Sequence, residues 1–329
     1  MTVYTPSTSI GSRLVRLVGN RLASSAPGQG RLCILNYHRV LKHADPLLAA
    51  EPDVAAFRWQ MKVLADCFHV MPLHEALDAL AHGRMPPRAV CITFDDGYRS
   101  THDLALPVLR EFGFPATVFI TTGYIDAGSM WNDRILESLR ALDAEQLDLS
   151  DAGLGSYAVS TLAERREAVA LLTERAKYLA PNLRHELVER LDRLTGAKDT
   201  GPMLTSDMIR NLIKHGVEIG AHTISHPILS KLSDESARFE IAESKSQLEA
   251  ITGRPVRYFA YPNGKEGLDF DARHMAMARE AGFDAAFTTA IGAASSGDDR
   301  FALPRSRPWD TTRPFYISRM LYWLARRAS

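Results

Sequence analysis

The sequence predicts an α/β protein, a parallel (β/α) barrel of seven to eight strands that carries a helical insertion. Short β-branched or aromatic runs alternate with amphipathic stretches from Arg31 onward, and glycines close several of those stretches. A chain of 329 residues accommodates one barrel of roughly 250 residues plus an insert. Strands are expected at 32–37, 68–71, 89–94, 116–121, 217–221, 256–261, 285–289 and 301–304. Helices are expected at 55–65, 104–112, 206–215, 235–251 and 272–281, with Gly113, Gly216, Gly253 and Gly282 at or beside their C-caps.

The rhythm breaks at 131–194, where Ile135, Leu136, Leu139, Leu171, Leu172, Leu187 and Leu191 follow helical spacing without a convincing strand. This marks 124–203 as a helical insertion, with 148–156 as its internal loop. Residues 293–299 read as an exposed polar loop. The remaining divisions are an N-terminal extension at 1–30, the barrel at 31–310 and an amphipathic helix at 311–329. In that last helix Phe315, Ile317, Met320, Leu321, Trp323 and Leu324 stand among Arg319, Arg326 and Arg327. Such a pattern either covers one end of a domain or touches an anionic membrane.

Thirty-nine lysines and arginines balance thirty-nine aspartates and glutamates, and 46% of the residues are hydrophobic. Disorder is excluded, and with no global positive field a nucleic-acid partner is not expected. Cys33, Cys67 and Cys91 are widely spaced among apolar neighbours, the pattern of buried reduced thiols rather than a disulfide framework. The N-terminal stretch, with Arg13, Arg16 and Arg21, is too broken for a signal-peptide core, and no run approaches the roughly 18 apolar residues that span a bilayer. The expectation is a cytoplasmic protein, peripheral to the inner membrane at most; oligomeric state stays open.

The chemistry concentrates at predicted strand ends, which in a parallel barrel face the active-site side. Thr93-Phe94-Asp95-Asp96-Gly97 runs from an apolar strand into two adjacent carboxylates. Neighbouring acids repel unless a cation or shared proton compensates, so the pair reads as a metal ligand beside a carboxylate base, or else as a solvated capping turn. His222-Thr223-Ile224-Ser225-His226-Pro227 also follows an apolar strand. Histidines four apart on one face of a helical turn can share one ion, or stand as two surface histidines. His38, in Asn36-Tyr37-His38-Arg39, has the titration range of a general acid, the alternative being a structural role. Pro262-Asn263-Gly264 is first a turn and second an oxyanion site. Trp131 is a platform for a sugar ring or a packing residue at a helix start.

Together these residues resemble the polysaccharide deacetylase family, the NodB-type domain of carbohydrate esterase family four. Thr93 to Gly97 matches its T-F-D-D-G motif and His222 to Pro227 its H-[ST]-x-x-H-P motif. The resemblance spans roughly 31–122 and 204–308. It implies a distorted (β/α) barrel, a divalent metal held by Asp96, His222 and His226, and Asp95 as catalytic base. Zinc is the expected ion, with cobalt or nickel as alternatives. Phe259 to Gly264 departs from the usual F-R-P-P-Y-G motif, since Ala260 stands at the arginine and Asn263 at the aromatic position. A subset resembling poly-N-acetylglucosamine deacetylases carries F-A-Y-P-x-G with an N-terminal Tyr-His motif, which Tyr37-His38 matches. That arrangement assigns the general acid to His38, and Arg305, after the last predicted strand, becomes the candidate for the missing arginine, with a surface salt bridge as the other reading. Tyr261, Pro262 and Trp131 are the candidate substrate contacts, and the backbone N–H of Asn263 the oxyanion donor. The implied partner is an N-acetylated glycan or glycan precursor. A catalytically silent glycan-binding member and a metal hydrolase of an O-acetyl ester or other C–N bond are the competing functions.

Overall fold

The computed structural model describes residues 4–7, 9–23, 30–197 and 200–325. Seven parallel strands form one curled sheet: β1 (Leu32–Tyr37), β2 (His69–Val70), β3 (Ala89–Phe94), β4 (Thr117–Ile120), β7 (Glu218–Ala221), β8 (Tyr258–Ala260) and β9 (Ala285–Phe287). The order is β1-β3-β4-β7-β8-β9. One edge of β3 is shared, its start pairing with β2 at Ala89 and Val90 and its end with β4 at Thr93 and Phe94. Strand side chains alternate between two faces, as the two-residue period requires. Leu32, Ile34, Cys91, Phe119, Tyr258 and Phe287 join one cluster, while Cys33, Leu35, Ile92, Val118 and Ile219 pack against the surrounding helices. Cys33, Cys67 and Cys91 are free and buried, as expected.

The eighth predicted strand, 301–304, does not form. Proline at 304 has no N–H to extend a ladder. Instead the segment makes single bridges, Leu303 to Phe287 on one side and Ser306 to Leu35 on the other. The gap between β9 and β1 is thus spanned by scattered hydrogen bonds, which accounts for the distortion of the barrel. The 293–299 loop also differs from expectation: Ala293 and Ala294 are fully buried, and Ala294 exchanges both backbone hydrogen bonds with Leu32 at 2.8 and 2.9 Å.

Helices cover the sheet: α2 (Val54–Cys67), α3 (Leu73–Ala81), α4 (Leu106–Phe112), α8 (Ser206–Lys214), α9 (Asp234–Thr252) and α10 (Ala272–Glu280). Side-chain caps start several of them, Asp53 accepting from the Ala56 N–H and Thr205 from the Met208 N–H. Helix α3 was not anticipated; its four buried residues, Leu73, Ala76, Leu77 and Leu80, make a helical stripe too short to stand out.

The insertion is not purely helical. Between α5 (Trp131–Ala141) and α6 (Leu162–Ala176) lies an antiparallel hairpin, β5 (Gln146–Leu149) with β6 (Gly155–Ala158), where a loop was expected; α7 (Pro181–Thr195) follows. Leu147, Leu149 and Tyr157 alternate inward and complete a separate core with Ile135, Leu139, Leu172 and Leu191. Two further helices, α1 (Ile10–Ala23) and α11 (Arg313–Ala325), pack against each other. Helix α11 turns Tyr316, Met320, Trp323 and Leu324 inward, so its apolar face covers the barrel. Arg326 and Arg327 lie outside the described residues.

Candidate active site

A cleft of about 440 Å³ opens at the C-terminal ends of the strands. Asp95, Asp96, His38, His222, His226, Asn263 and Arg305 all line it, so the structure brings together residues spread over most of the sequence. Left-handed backbone concentrates here: Asp96 (φ 73°), Thr223 (65°), His226 (54°) and Asn263 (58°) are four of the six non-glycine residues with positive φ among those described. This conformation costs of order 1–3 kcal/mol per residue, most severely for a β-branched threonine, and persists where surrounding contacts over-determine it.

Those contacts are visible around the histidines. The 222–227 segment is a loop after β7, not the helical turn expected from the spacing. The Glu240 carboxylate of α9 accepts from the Ile224 N–H at 2.7 Å, the Ser225 N–H at 3.0 Å and the Ser225 hydroxyl at 2.6 Å. The loop therefore doubles back and brings the two imidazole rings to 4.9 Å between centroids.

Asp96 Oδ1 lies 3.5 Å from Nε2 of both His222 and His226. It is buried without a hydrogen-bond partner among the described residues, as is His226 Nδ1. One ligand atom from each of the three residues falls within 4.8 Å of the others. His222 Nδ1 lies 2.7 Å from the Ala260 carbonyl, a contact that places the proton on Nδ1 and leaves Nε2 as the ligand atom. Burial pushes the His226 pKa down to about 4, so the ring is neutral at pH 7. Burial opposes ionisation of Asp96, but the three imidazoles, His222 foremost, hold its carboxyl below the usual range. The charges of Asp95 and Asp96 outweigh burial and raise the His222 pKa, so a cation bound here would displace the proton they favour on that ring. An ionised carboxylate and two imidazole nitrogens converging on one point fit a divalent cation.

Asp95 stands beside this set in a different environment. Arg305 clamps it with two parallel bonds, Nη1 to Oδ1 at 2.6 Å and Nη2 to Oδ2 at 2.7 Å. The same guanidinium donates to Thr93 Oγ1 and the Thr288 carbonyl, and lies over the Phe119 ring with 5.0 Å to the centroid. Both partners are buried. Burial raises the cost of the Asp95 charge, yet the Arg305 charge and bonds override it and keep the pKa below 3.8. Arg305 is therefore a buried partner of the site rather than a surface ion pair.

His38 lines the same cleft with Nδ1 unpartnered among the described residues. Burial lowers its pKa, partly offset by the Asp96 charge. Asn263 follows β8 in the left-handed region, with its carbonyl accepting from Thr289 Oγ1 at 2.6 Å.

The three predicted substrate contacts are not at the cleft. Tyr261 is fully buried, stacked on Phe270 at 3.8 Å with its hydroxyl donating to the Phe301 carbonyl, and Pro262 is buried beside it. Trp131 belongs to the core of the insertion, with the Arg184 guanidinium 4.8 Å above its ring. Tyr261 and Pro262, beside the end of β8, are buried by the next layer of chain, and Trp131, at the start of α5, by the other elements of the insertion. Residues given no role from the sequence take the cleft wall instead: Asn36, Glu51, Arg307 and Trp309, together with Asn132 from the insertion. Arg307 pairs with Glu51, and Trp309 carries the Arg319 guanidinium 5.3 Å from its ring centroid. The only signal for Arg307 and Trp309 was their place two and four residues past Arg305, after a segment of strand-like composition.

A family model for polysaccharide deacetylases matches residues 82–286. The chain belongs to the polysaccharide deacetylase family. A relative from Staphylococcus epidermidis, named poly-β-1,6-N-acetyl-D-glucosamine N-deacetylase, is 32% identical over 138 residues, covering 37% of this chain and 45% of the relative. The match thus spans less than half of that relative's length. Among solved structures, the Streptococcus pyogenes deacetylase PplD in complex with acetate superposes with a TM-score of 0.58 at 18% identity, covering 85% of this chain and 92% of the other. IcaB from Ammonifex degensii gives 0.57 at 19% identity over 90% of this chain and 97% of its own. Both likenesses are of the fold.

Proposed function

We propose that this polysaccharide deacetylase is a metal-dependent N-deacetylase that hydrolyses the acetamide of an N-acetylglucosamine-type glycan to a free amine and acetate. The observation carrying this reading is the meeting, in one cleft, of an Asp-His-His set with an arginine-held carboxylate and an imidazole. The cleft volume falls within the range of small-molecule sites. The name of the staphylococcal relative supports a β-1,6-linked N-acetylglucosamine polymer as substrate.

Asp96, His222 and His226 would hold the ion; two imidazoles and a carboxylate suit zinc, and cobalt or nickel accept the same donors. When bound, a divalent ion supplies Lewis acidity and lowers the pKa of water. Asp95, kept ionised by Arg305, takes the proton of the attacking water. Arg305 fixes both carboxylate oxygens, so the base does not rotate away. The Asn263 N–H is the proposed donor to the developing oxyanion, a kind of contact whose loss costs about 2.7–4 kcal/mol in other hydrolases. His38 gives a proton to the nitrogen as the C–N bond breaks, so the amine departs neutral.

The test is acetate release from N-acetylglucosamine oligomers by protein stripped of metal and reloaded with zinc or cobalt. Activity restored by metal and missing from Asp95→Asn is expected. Equal rates in Asp95→Asn, or release from O-acetyl but not N-acetyl sugars, would overturn the reading.

A further inference from the structure

We propose that helix α1 seats the N-terminal end of the barrel on an anionic lipid surface, with the catalytic cleft turned away from it. Helix α1 divides sharply into two faces. Toward the protein it turns Ser12 and Gly19, and at Gly19 a Cβ would run into the Arg88 side chain, so the helix lies close against the barrel. Toward solvent it turns Ile10, Leu14, Leu17 and Val18, with Ile10 87%, Leu14 59% and Leu17 62% exposed. Spacings of four, seven and eight put these four on one stripe.

The two helices that pack together here carry charge of one sign. Helices α1 and α11 together carry five arginines and no acidic residue, in a chain whose formal net charge is zero. Arg16 and Arg319 are tied inward, to the Asp66 carbonyl and the Asp310 carboxylate. Arg13, Arg21 and Arg313 are exposed, as are Phe315 and Tyr322, one above the other on α11. Apolar side chains rimmed by arginine complement an anionic headgroup layer over its acyl boundary. No described helix is long and apolar enough to cross a membrane, so α1 would lie in the interface plane.

The contacts of α1 and of the segment before it also set the orientation. Asn20 accepts from Arg88, the residue before β3; Arg16 reaches the end of α2; and the Tyr4 N–H donates to the Glu111 carbonyl near the end of α4. These points lie at the starts of the strands, whereas the cleft is at their ends. A six-residue strand spans about 20 Å, so the site would stand clear of the surface and open to glycan arriving from solution.

The experiment is co-sedimentation of the full chain with vesicles of phosphatidylcholine alone and of phosphatidylcholine mixed with phosphatidylglycerol. Binding roughly tenfold or more tighter to the anionic vesicles is expected. The double variant Leu14→Asp/Leu17→Asp should lose binding to both, and Arg13→Glu/Arg21→Glu should lose only the anionic preference. Acetate release from soluble oligomers should be unchanged in both variants, which reports that they are folded. No binding, equal binding to the two vesicles, or variants that bind like wild type would overturn the proposal. So would a wild-type dimer that Leu14→Asp/Leu17→Asp dissociates without any vesicle binding, since a second copy would then be the occupant.

Discussion

Replacing Arg305 by methionine removes the cation from a fully buried pair while keeping most of the side-chain volume. Arg305 is 0% and Asp95 4% exposed, and the two bonds between them are 2.6 and 2.7 Å. Leaving one member of such a pair uncompensated costs about 3–5 kcal/mol. Removing both charges in Asp95→Asn/Arg305→Met costs less than the sum of the single changes, because no buried charge remains. Urea unfolding of the wild type, the single variants and the double variant measures both quantities. The pH dependence has a definite sign. The Asp95 pKa is depressed in the fold, so its stabilising contribution is fully present above the unfolded value near 4 and is lost as pH falls through the lower folded value. The stability gap between wild type and Arg305→Met should be widest at pH 7 and shrink on acidification in two stages: first as the unpaired Asp95 of the variant, its pKa raised by burial once Arg305 is gone, takes a proton, and then below about pH 4 as the wild-type carboxylate loses its contribution. A single-variant loss under about 1 kcal/mol, or strict additivity in the cycle, would refute the buried-pair argument.

Asp96→Asn and His222→Ala should each lose stoichiometric metal and activity together, read by elemental analysis beside acetate release; either variant retaining metal as well as wild type would remove that residue from the ligand set. His38→Ala should lower kcat by about 10²–10⁴ with little change in KM, and an aryl acetamide with a weakly basic leaving amine should suffer less. An equal loss on both substrates would withdraw the proton-donor role. Asp133→Ala strips the partner from Arg39, which stacks over Tyr98 at 3.7 Å, and should destabilise by about 3–5 kcal/mol in urea unfolding. A cost within about 1 kcal/mol would mean that this contact does not anchor the insertion. Gly220→Ala would drive a methyl into the Phe119 ring beneath Arg305, with an overpacking cost of about 1–3 kcal/mol, and a wild-type melting curve would show that the ring has room to move.

The parallel strands were legible because each carries its own periodicity: β1 and β3 fall on the expected residues, and the others lie within the expected spans. The motif residues were legible because each directly follows a strand whose end points to one side of the barrel. Three kinds of feature were not. The 146–158 hairpin is short, with alternation that competes with surrounding helical spacing. The 301–304 segment has strand-like composition, but its missing proline N–H prevents a ladder. Tyr261 and Trp131 have the composition of sugar contacts, yet neighbouring layers bury them, and composition does not say which way a ring turns.

By itself, the sequence determined the βα alternation, the insertion and the order of the chemical groups along the chain, because hydrophobic period and turn chemistry act over a few residues at a time. Only the tertiary structure decided which groups meet. Arg305 reaches Asp95 across 210 positions because the 301–306 segment spans the gap between β9 and β1. Glu240 bends the histidine loop from a helix that lies after it in the chain. Trp309, Glu51 and Arg307 take the cleft wall, and α1 is left with an uncovered apolar stripe, through the way the curled sheet stacks its connecting segments. Such placements depend on closure over long loops and on mutual burial, which no local pattern encodes.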